Sequence, residues 1–133
     1  MTRIDFYILA DNHPDNRERF ACKLIEKAFS SGHRVFVKTC NDDQTQRVNQ
    51  MLWTFRQGSF IPHEPYTKEA AVLTPILLGH QDEPNEEHDI LLNLDQSIPG
   101  FFTQFERVIE IIDSQDEVRT SGRERYRHYK DRG

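Results

Sequence analysis

The stretch NRERFACKLIEKAFSSGHRVFVKTC, residues 16–40, decides the fold. Phe20, Leu24 and Ala28 recur at steps of four, with Ala21, Ile25 and Phe29 beside them. That spacing draws one apolar face along a helix. Asp15 stands where an N-cap belongs, and Gly32 stands where a helix stops. RVFVKTC (34–40) then changes period and reads as a strand of aromatic and β-branched residues. Upstream, FYIL (6–9) is a short apolar run of the kind buried in a sheet, and DNHPD (11–15) breaks it. Downstream, NDDQTQRVNQMLWTF (41–55) restarts a helix after an Asn/Asp cap, with Val48, Leu52 and Phe55 on one face. A β-α-β-α opening with short turns implies adjacent parallel strands joined by right-handed crossovers. The expected class is a three-layer α/β/α sandwich with a mostly parallel sheet.

The second half is less regular. SFIPHE (59–64) is an extended piece that Pro62 confines to an edge or a loop. VLTPILLGH (72–80) is strand-like, and Pro75 again favours an edge or a bulge. QDEPNEEHD (81–89) is a loop, ILLNL (90–94) a buried strand, IPGFFTQF (98–105) a turn with a short helix, and RVIEII (107–112) a further strand. The remainder opens on Ser114-x-x-Glu117, a capping box, and reads as a helix over about 114–130. Gly122 inside it costs about 1 kcal/mol relative to alanine.

The 133 residues fit one domain, 1–133. At 36% hydrophobic and 29% charged the chain is polar, yet nine Phe and one Trp among many Ile, Leu and Val suffice for a core. No apolar run approaches the roughly 20 residues that span a bilayer. No signal peptide precedes the first strand, and Cys22 and Cys40 lack metal-site spacing. A cytoplasmic chain with two free thiols is expected, with no membrane partner.

Sites for chemistry are scarce. The turn after the first strand, ADNHPDNRE (10–18), holds no glycine and neither phosphate-binding motif. Asp11, Asn12 and His13 could form a polar site there, but a turn with an N-cap is the stronger account of them. His80 and His88 lie among Asp82, Glu83, Glu86, Glu87 and Asp89 without helical ligand spacing or EF-hand order, as in a solvated loop. Cys22 falls within an amphipathic helix, and no base is placed beside Cys40. No catalytic residue, metal ligand or cofactor site is assigned.

Two stretches remain unexplained. LWTFRQGSFIPHE (52–64) carries the only Trp, then Phe55, Phe60 and Ile61. Trp53 lies about 100° round the helix from Leu52, off the apolar face. Core packing accounts for the stretch as readily as an exposed aromatic patch, which would mark a protein partner. The second stretch is RTSGRERYRHYKDRG (119–133), with six basic residues against two acids. It carries +4 in a chain of formal net charge -5, so the other residues sum to about -9 by subtraction. On a helix Arg119, Arg123, Tyr126 and Lys130 fall within about 60° of one another, with Arg127 at the flank. The acidic body argues against broad DNA binding.

At these stretches the sequence resembles the chi subunit of bacterial DNA polymerase III, an accessory of the clamp loader. The motifs are DFYILAD (5–11), LWTFRQGSFIPHE (52–64), HDILLNL (88–94) and RERYRHY (123–129), in an order that spans nearly the whole chain. The resemblance implies a Rossmann-like sandwich without a nucleotide-binding loop, no catalysis and no cofactor. It also implies two partners: the psi subunit, and the acidic C-terminal tail of single-stranded DNA-binding protein, which ends in Asp, Phe and a free carboxylate. Nucleic acid would be engaged only indirectly. The implied tail site is Arg119, Arg123, Tyr126 and Arg127, with Ile112 lining a pocket for the terminal Phe. Arg119 and Arg127 stand where some relatives carry lysine. The implied psi surface includes Trp53, Phe60, Pro62 and His63, the last two shaping a turn. Two other readings compete with this adaptor: direct binding of single-stranded nucleic acid by the basic helix, and a small enzyme built on the first loop.

Overall fold

A computed structural model of the protein describes residues 2–9, 16–54, 61–65, 74–80, 89–113 and 116–132. Its elements, in chain order, are β1 (Arg3–Ile8), α1 (Asn16–Ser30), β2 (Val35–Lys38), α2 (Asp42–Thr54), β3 (His63–Pro65), β4 (Ile76–Gly79), β5 (Ile90–Asn93), a 3-10 turn (Phe102–Gln104), β6 (Arg107–Ile112) and α3 (Asp116–Arg132). Six strands form one sheet in the order β1-β6-β5-β2-β4-β3, and every pairing is parallel. β2, β4 and β5 are buried along their whole length. A parallel strand covered on both faces has no solvent side, so its sequence is a continuous apolar run.

The two faces build separate cores. Ala21, Cys22, Ile25 and Ala28 of α1, with Val48 and Leu52 of α2, pack on Val35, Val37, Ile76, Leu78, Ile90, Leu92, Ile109 and Ile111. The opposite face buries Phe36, Leu77, Leu91 and Val108 against Phe102, Phe105 and Tyr129, with Ile4 and Phe6 alongside. α1 and α2 thus cover one face, while α3 and the 3-10 turn cover the other. The result is the three-layer sandwich that the sequence implies, with the sheet parallel throughout.

Local signals explain the boundaries. Gly32 takes φ +83, its amide donates to the Phe29 carbonyl at 3.0 Å, and the His33 amide donates to Ala28 at 2.9 Å. That is a Schellman ending, and it needs the left-handed residue glycine supplies. Asn41 caps α2: its Oδ1 accepts from the Gln44 amide at 2.8 Å, while Gln44 Oε1 accepts from the Cys40 amide at 2.8 Å. Asp15, Phe55, Ser114 and the 81–88 loop lie outside the described residues.

Three expectations change. β1 and β2 are parallel but not adjacent, because β6 and β5 lie between them. β4 is not an edge strand: it sits between β2 and β3. Pro75 precedes β4 rather than interrupting it, and its carbonyl accepts from the Val35 amide at 2.9 Å. A proline before the first residue of a strand withholds no ladder donor. The last helix is described over Asp116–Arg132 and continues past the expected end at about 130.

Among the described residues, two cations at the carboxyl ends of the strands are held by the chain itself. Lys38 Nζ, at the end of β2, donates to Asp95 Oδ2 at 2.8 Å and to the Thr39 carbonyl at 3.0 Å. Arg17 reaches from α1 to the carbonyls of Ile111 at 3.0 Å and Leu94 at 3.4 Å. These cations lie along the edge where an open α/β sheet usually takes a ligand, and they are spent on the chain itself. Burial pushes the Asp95 carboxyl up, but the Lys38 hydrogen bond and charge, with the Gln96 and Ser97 backbone, outweigh it and hold Asp95 below the usual carboxylate value. A folded-state value below the unfolded one stabilises the protein at pH above the unfolded pKa of about 4, and that stability is lost as pH falls through the folded value. Asp95→Asn should therefore lower stability at neutral pH and flatten its decline below about pH 4. Urea midpoints at pH 7 and pH 3 check this; parallel pH profiles for Asp95→Asn and wild type would refute it.

Candidate functional site

α3 is fixed to the sheet by a buried polar knot. Glu110, in the middle of β6, is fully buried, and Arg125 of α3 is 3% exposed. Arg125 Nε donates to Glu110 Oε1 at 3.0 Å, Tyr129 Oη donates to Oε2 at 2.7 Å, and Asn93 Nδ2 donates to Oε2 at 2.9 Å. The second arm of Arg125 donates to the Gln96 carbonyl at 2.9 Å and to Ser121 Oγ, which itself donates to Gln96 at 2.7 Å. Burial pushes the Glu110 carboxyl up, against Arg125, Asn93 and Tyr129, which pull it down. Three donors aimed at two oxygens are the surroundings of a carboxylate. Burial and the neighbouring Glu110 push the Tyr129 hydroxyl far up, so it stays a donor.

That knot fixes the rotation of α3. Val118, Gly122, Arg125 and Tyr129 face the sheet, and Arg119, Arg123, Arg127 and Lys130 are exposed. Tyr126 lies on the flank towards β1: its ring meets Phe6 edge-on at 5.3 Å, and half of the residue (53%) stays in solvent. Around the helix Arg119, Lys130 and Arg123 follow Tyr126 outward within about 60°, and Arg127 stands about 100° from it, turned away from the sheet. Ile112 is half-buried at the end of β6, beneath Gly122. Arg119, Arg123 and Tyr126 of the expected tail site therefore share one flank, while Arg127 is turned away from the sheet and Ile112 lies beneath Gly122. Arg125, one of the six basic residues of the segment, is withdrawn from that surface.

At the far edge of the sheet, Trp53 is 49% exposed on the last turn of α2, and its ring packs on that of His63 at 4.6 Å. His63 is buried on β3. Its Nδ1 lies 2.6 Å from the Ile61 carbonyl and its Nε2 3.0 Å from the Asn49 carbonyl of α2. His63 thus ties β3 to α2 and its ring packs against Trp53, while Pro62 is half-buried beside it. Phe60 lies outside the described residues, as do Asp11, Asn12, His13 and His88.

Cys22 is buried, and burial with nearby Glu18 pushes its thiol up to about 12, as expected of an inert core cysteine. Among the described residues no group of three or more His, Cys, Asp or Glu side chains is placed to hold a metal ion. Among them, too, no helix is long and apolar enough to cross a membrane.

The knot escaped sequence reasoning, though a signal for it was present. Glu110 interrupts RVIEII, and an acid inside a buried strand requires a cation or several donors. Exposed Ile8 was also missed, because FYIL reads as uniformly buried.

The family described as DNA polymerase III chi subunit, HolC, matches residues 1–133. Among relatives, the DNA polymerase III subunit chi of Pseudomonas aeruginosa is 35% identical over 133 residues, covering all of this chain and 92% of the relative. The subunit chi of Haemophilus influenzae is 30% identical over 129 residues, 96% of this chain and 90% of the relative. That of Escherichia coli K12 is 27% identical over 114 residues, 85% of this chain and 78% of the relative.

The anchoring of α3 is testable. Arg125→Ala leaves Glu110 buried without its cation and should destabilise the protein by about 3–5 kcal/mol in urea unfolding. A loss below about 1 kcal/mol would mean that the ion pair does not hold the helix.

Proposed function

Because the chain belongs to the DNA polymerase III chi subunit family, and so to the accessory subunits of the replisome, we propose that it is a non-catalytic adaptor. One partner is the psi subunit of the clamp loader, at Trp53, Phe60, Pro62 and His63. The other is the acidic C-terminal tail of single-stranded DNA-binding protein, at Arg119, Arg123, Tyr126, Arg127 and Ile112. The observation that carries this reading is the separation of the two surfaces. α3 packs on β6, with Tyr126 against Phe6 of edge strand β1, and α2 packs on β3 and β4, towards opposite ends of a six-stranded sheet and on opposite faces. Five strand spacings put the edges about 24 Å apart. Surfaces so placed can be filled at once, which an adaptor requires.

The chemistry of the α3 flank suits an acidic peptide. Arg119 and Arg123 are guanidinium forks, suited to a carboxylate pair, and Tyr126 offers a half-exposed ring beside them. The rest of the chain is net acidic, so its summed charge opposes a polyanion while this flank attracts one. Capture of a peptide's carboxylate end is a recurrent mode of recognition. Among the described residues at the strand ends, Lys38 is paired with Asp95 and Arg17 with backbone carbonyls.

Arg123→Glu should abolish binding of a short acidic peptide ending in Asp-Phe, and Arg123→Ala should weaken it by about 30-fold. Calorimetry with the purified protein measures both, alongside labelled oligothymidine. Wild-type peptide affinity in Arg123→Glu would refute the tail site, and tight oligothymidine binding without peptide binding would favour direct nucleic-acid recognition instead. Trp53→Ala should show the reverse selectivity, weakening psi binding by about 2 kcal/mol or more while peptide binding persists. If Trp53→Ala binds psi as wild type does, that half of the reading fails.

A further inference from the structure

The flank of α3 that faces away from β1 borders a cleft of about 550 Å³ between the helix and the chain that follows β5. Ser121, Glu124, Arg125 and His128 line one wall at helical spacing. The other wall is the 96–103 segment, where Ile98, Pro99 and Phe102 supply apolar surface. Both walls are held in place. Asn93 Nδ2 donates to the Ser97 carbonyl at 3.1 Å, and Arg125 and Ser121 both donate to the Gln96 carbonyl. The Phe102 amide donates to the Pro99 carbonyl at 3.1 Å, and the Phe102 ring meets that of His128 edge-on at 6.2 Å. Fixed walls, this volume and apolar surface among a few polar groups are the attributes of a binding site.

The charge of the cleft is opposite to that of the other flank. Arg125 brings no free cation to it, because its guanidinium is paired with buried Glu110. Glu124 is exposed at the rim. Both acids of the 119–133 segment, Glu124 and Asp131, fall about 20° apart around the helix, with His128 about 40° from Glu124. Among the described residues neither acid is held in an ion pair. Tyr126 stands about 160° from Glu124, and Arg127 about 60° from it on the side away from the cleft. The helix is therefore cationic along one flank and acidic along the other.

We propose that this cleft binds an extended basic segment of a partner protein, which lays an apolar side chain against Phe102 and Ile98 and an arginine or lysine against Glu124. Charge selects the occupant: an unpaired carboxylate at the rim, with the one lining guanidinium neutralised, attracts a cation and opposes an anion. Length selects its form. The wall from Ser121 to His128 rises about 10 Å, the span of about three extended residues. A free amine would fill only part of it. The cleft lies on the flank of α3 opposite the one read as the acidic-peptide site, so the proposal does not depend on that reading.

The test uses the full chain, isotope-labelled for NMR, and three probes. They are the blocked tripeptide acetyl-Leu-Ala-Arg-amide, the same peptide with citrulline as a neutral isostere of arginine, and agmatine, a guanidinium without a peptide. In the extended tripeptide the Leu and Arg side chains point the same way. The arginine peptide should shift the amide signals of residues 96–103 and 121–128. Glu124→Gln, at an exposed position, should keep the wild-type melting profile. It should weaken the arginine peptide by about fivefold, the size of one exposed ion pair, and leave the citrulline peptide unchanged. Arg123→Glu, on the other flank, should not weaken the arginine peptide. Absence of shifts at these amides, equal affinity for the arginine and citrulline peptides, or an arginine-peptide affinity untouched by Glu124→Gln would each overturn the proposal. So would weaker binding in Arg123→Glu, which would put the peptide on the cationic flank. Agmatine binding as tightly as the tripeptide would overturn the peptide occupant.

Discussion

The buried contact between Glu110 and Arg125 is the constraint on which the outer layer depends. A carboxylate in the centre of a parallel strand cannot be hydrated, so it needs donors from elsewhere in the chain. Arg125 and Tyr129 supply them from α3, one turn apart, and Asn93 supplies a third from the neighbouring strand β5. Two bonds from one helix to one side chain fix both its rotation and its position along the sheet. A purely apolar interface would tolerate small rotations. The polar knot does not, because each unpaired group would carry a desolvation cost of several kcal/mol. The orientation of Tyr126 towards β1, with Arg119 and Arg123 further out, follows from that rotation.

The knot also changes how the charge of the segment is read. Six basic residues in fifteen look like a single cationic surface, but one of them, Arg125, is neutralised inside the fold. What faces solvent is a narrower stripe, graded from an aromatic ring beside the sheet to arginines further out. Its neighbours are apolar, Ile8 and Ile112. At the other end of the sheet the surface is of a different kind. There an indole is held by a buried histidine that joins a short edge strand to α2. The sheet between them is a rigid spacer of buried parallel strands, so neither surface has to move for the other to be used.

Much of this was legible in the sequence. Residues 16–40 disclosed the helix-strand alternation because a single sheet buried on both faces leaves continuous apolar runs, and because Gly32 and Asn41 mark helix ends by their own chemistry. Strand order was not legible, since β5 and β6 enter between β1 and β2 through contacts far apart in sequence. Pro75 misled, because proline's effect depends on whether it stands in the ladder or just before it. The cationic flank was legible from helical periodicity, and Arg125 was separated from it only by Glu110, fifteen residues away. Ile8 was illegible in FYIL, where three neighbours are covered and the strand's end is not. Gly122 read as a weakness of the helix, and its close approach to Ile112 supplies the compensating reason.

The central claim is that two surfaces at opposite edges of one sheet act independently to join two partners. The most direct measurement is the affinity of the protein for an acidic Asp-Phe-ended peptide before and after saturation with psi, followed by the mass of the mixture in solution. Independent sites predict an affinity unchanged to within about twofold and one complex holding all three components. Displacement of the peptide by psi, or a mixture that holds either partner but never both, would contradict the account.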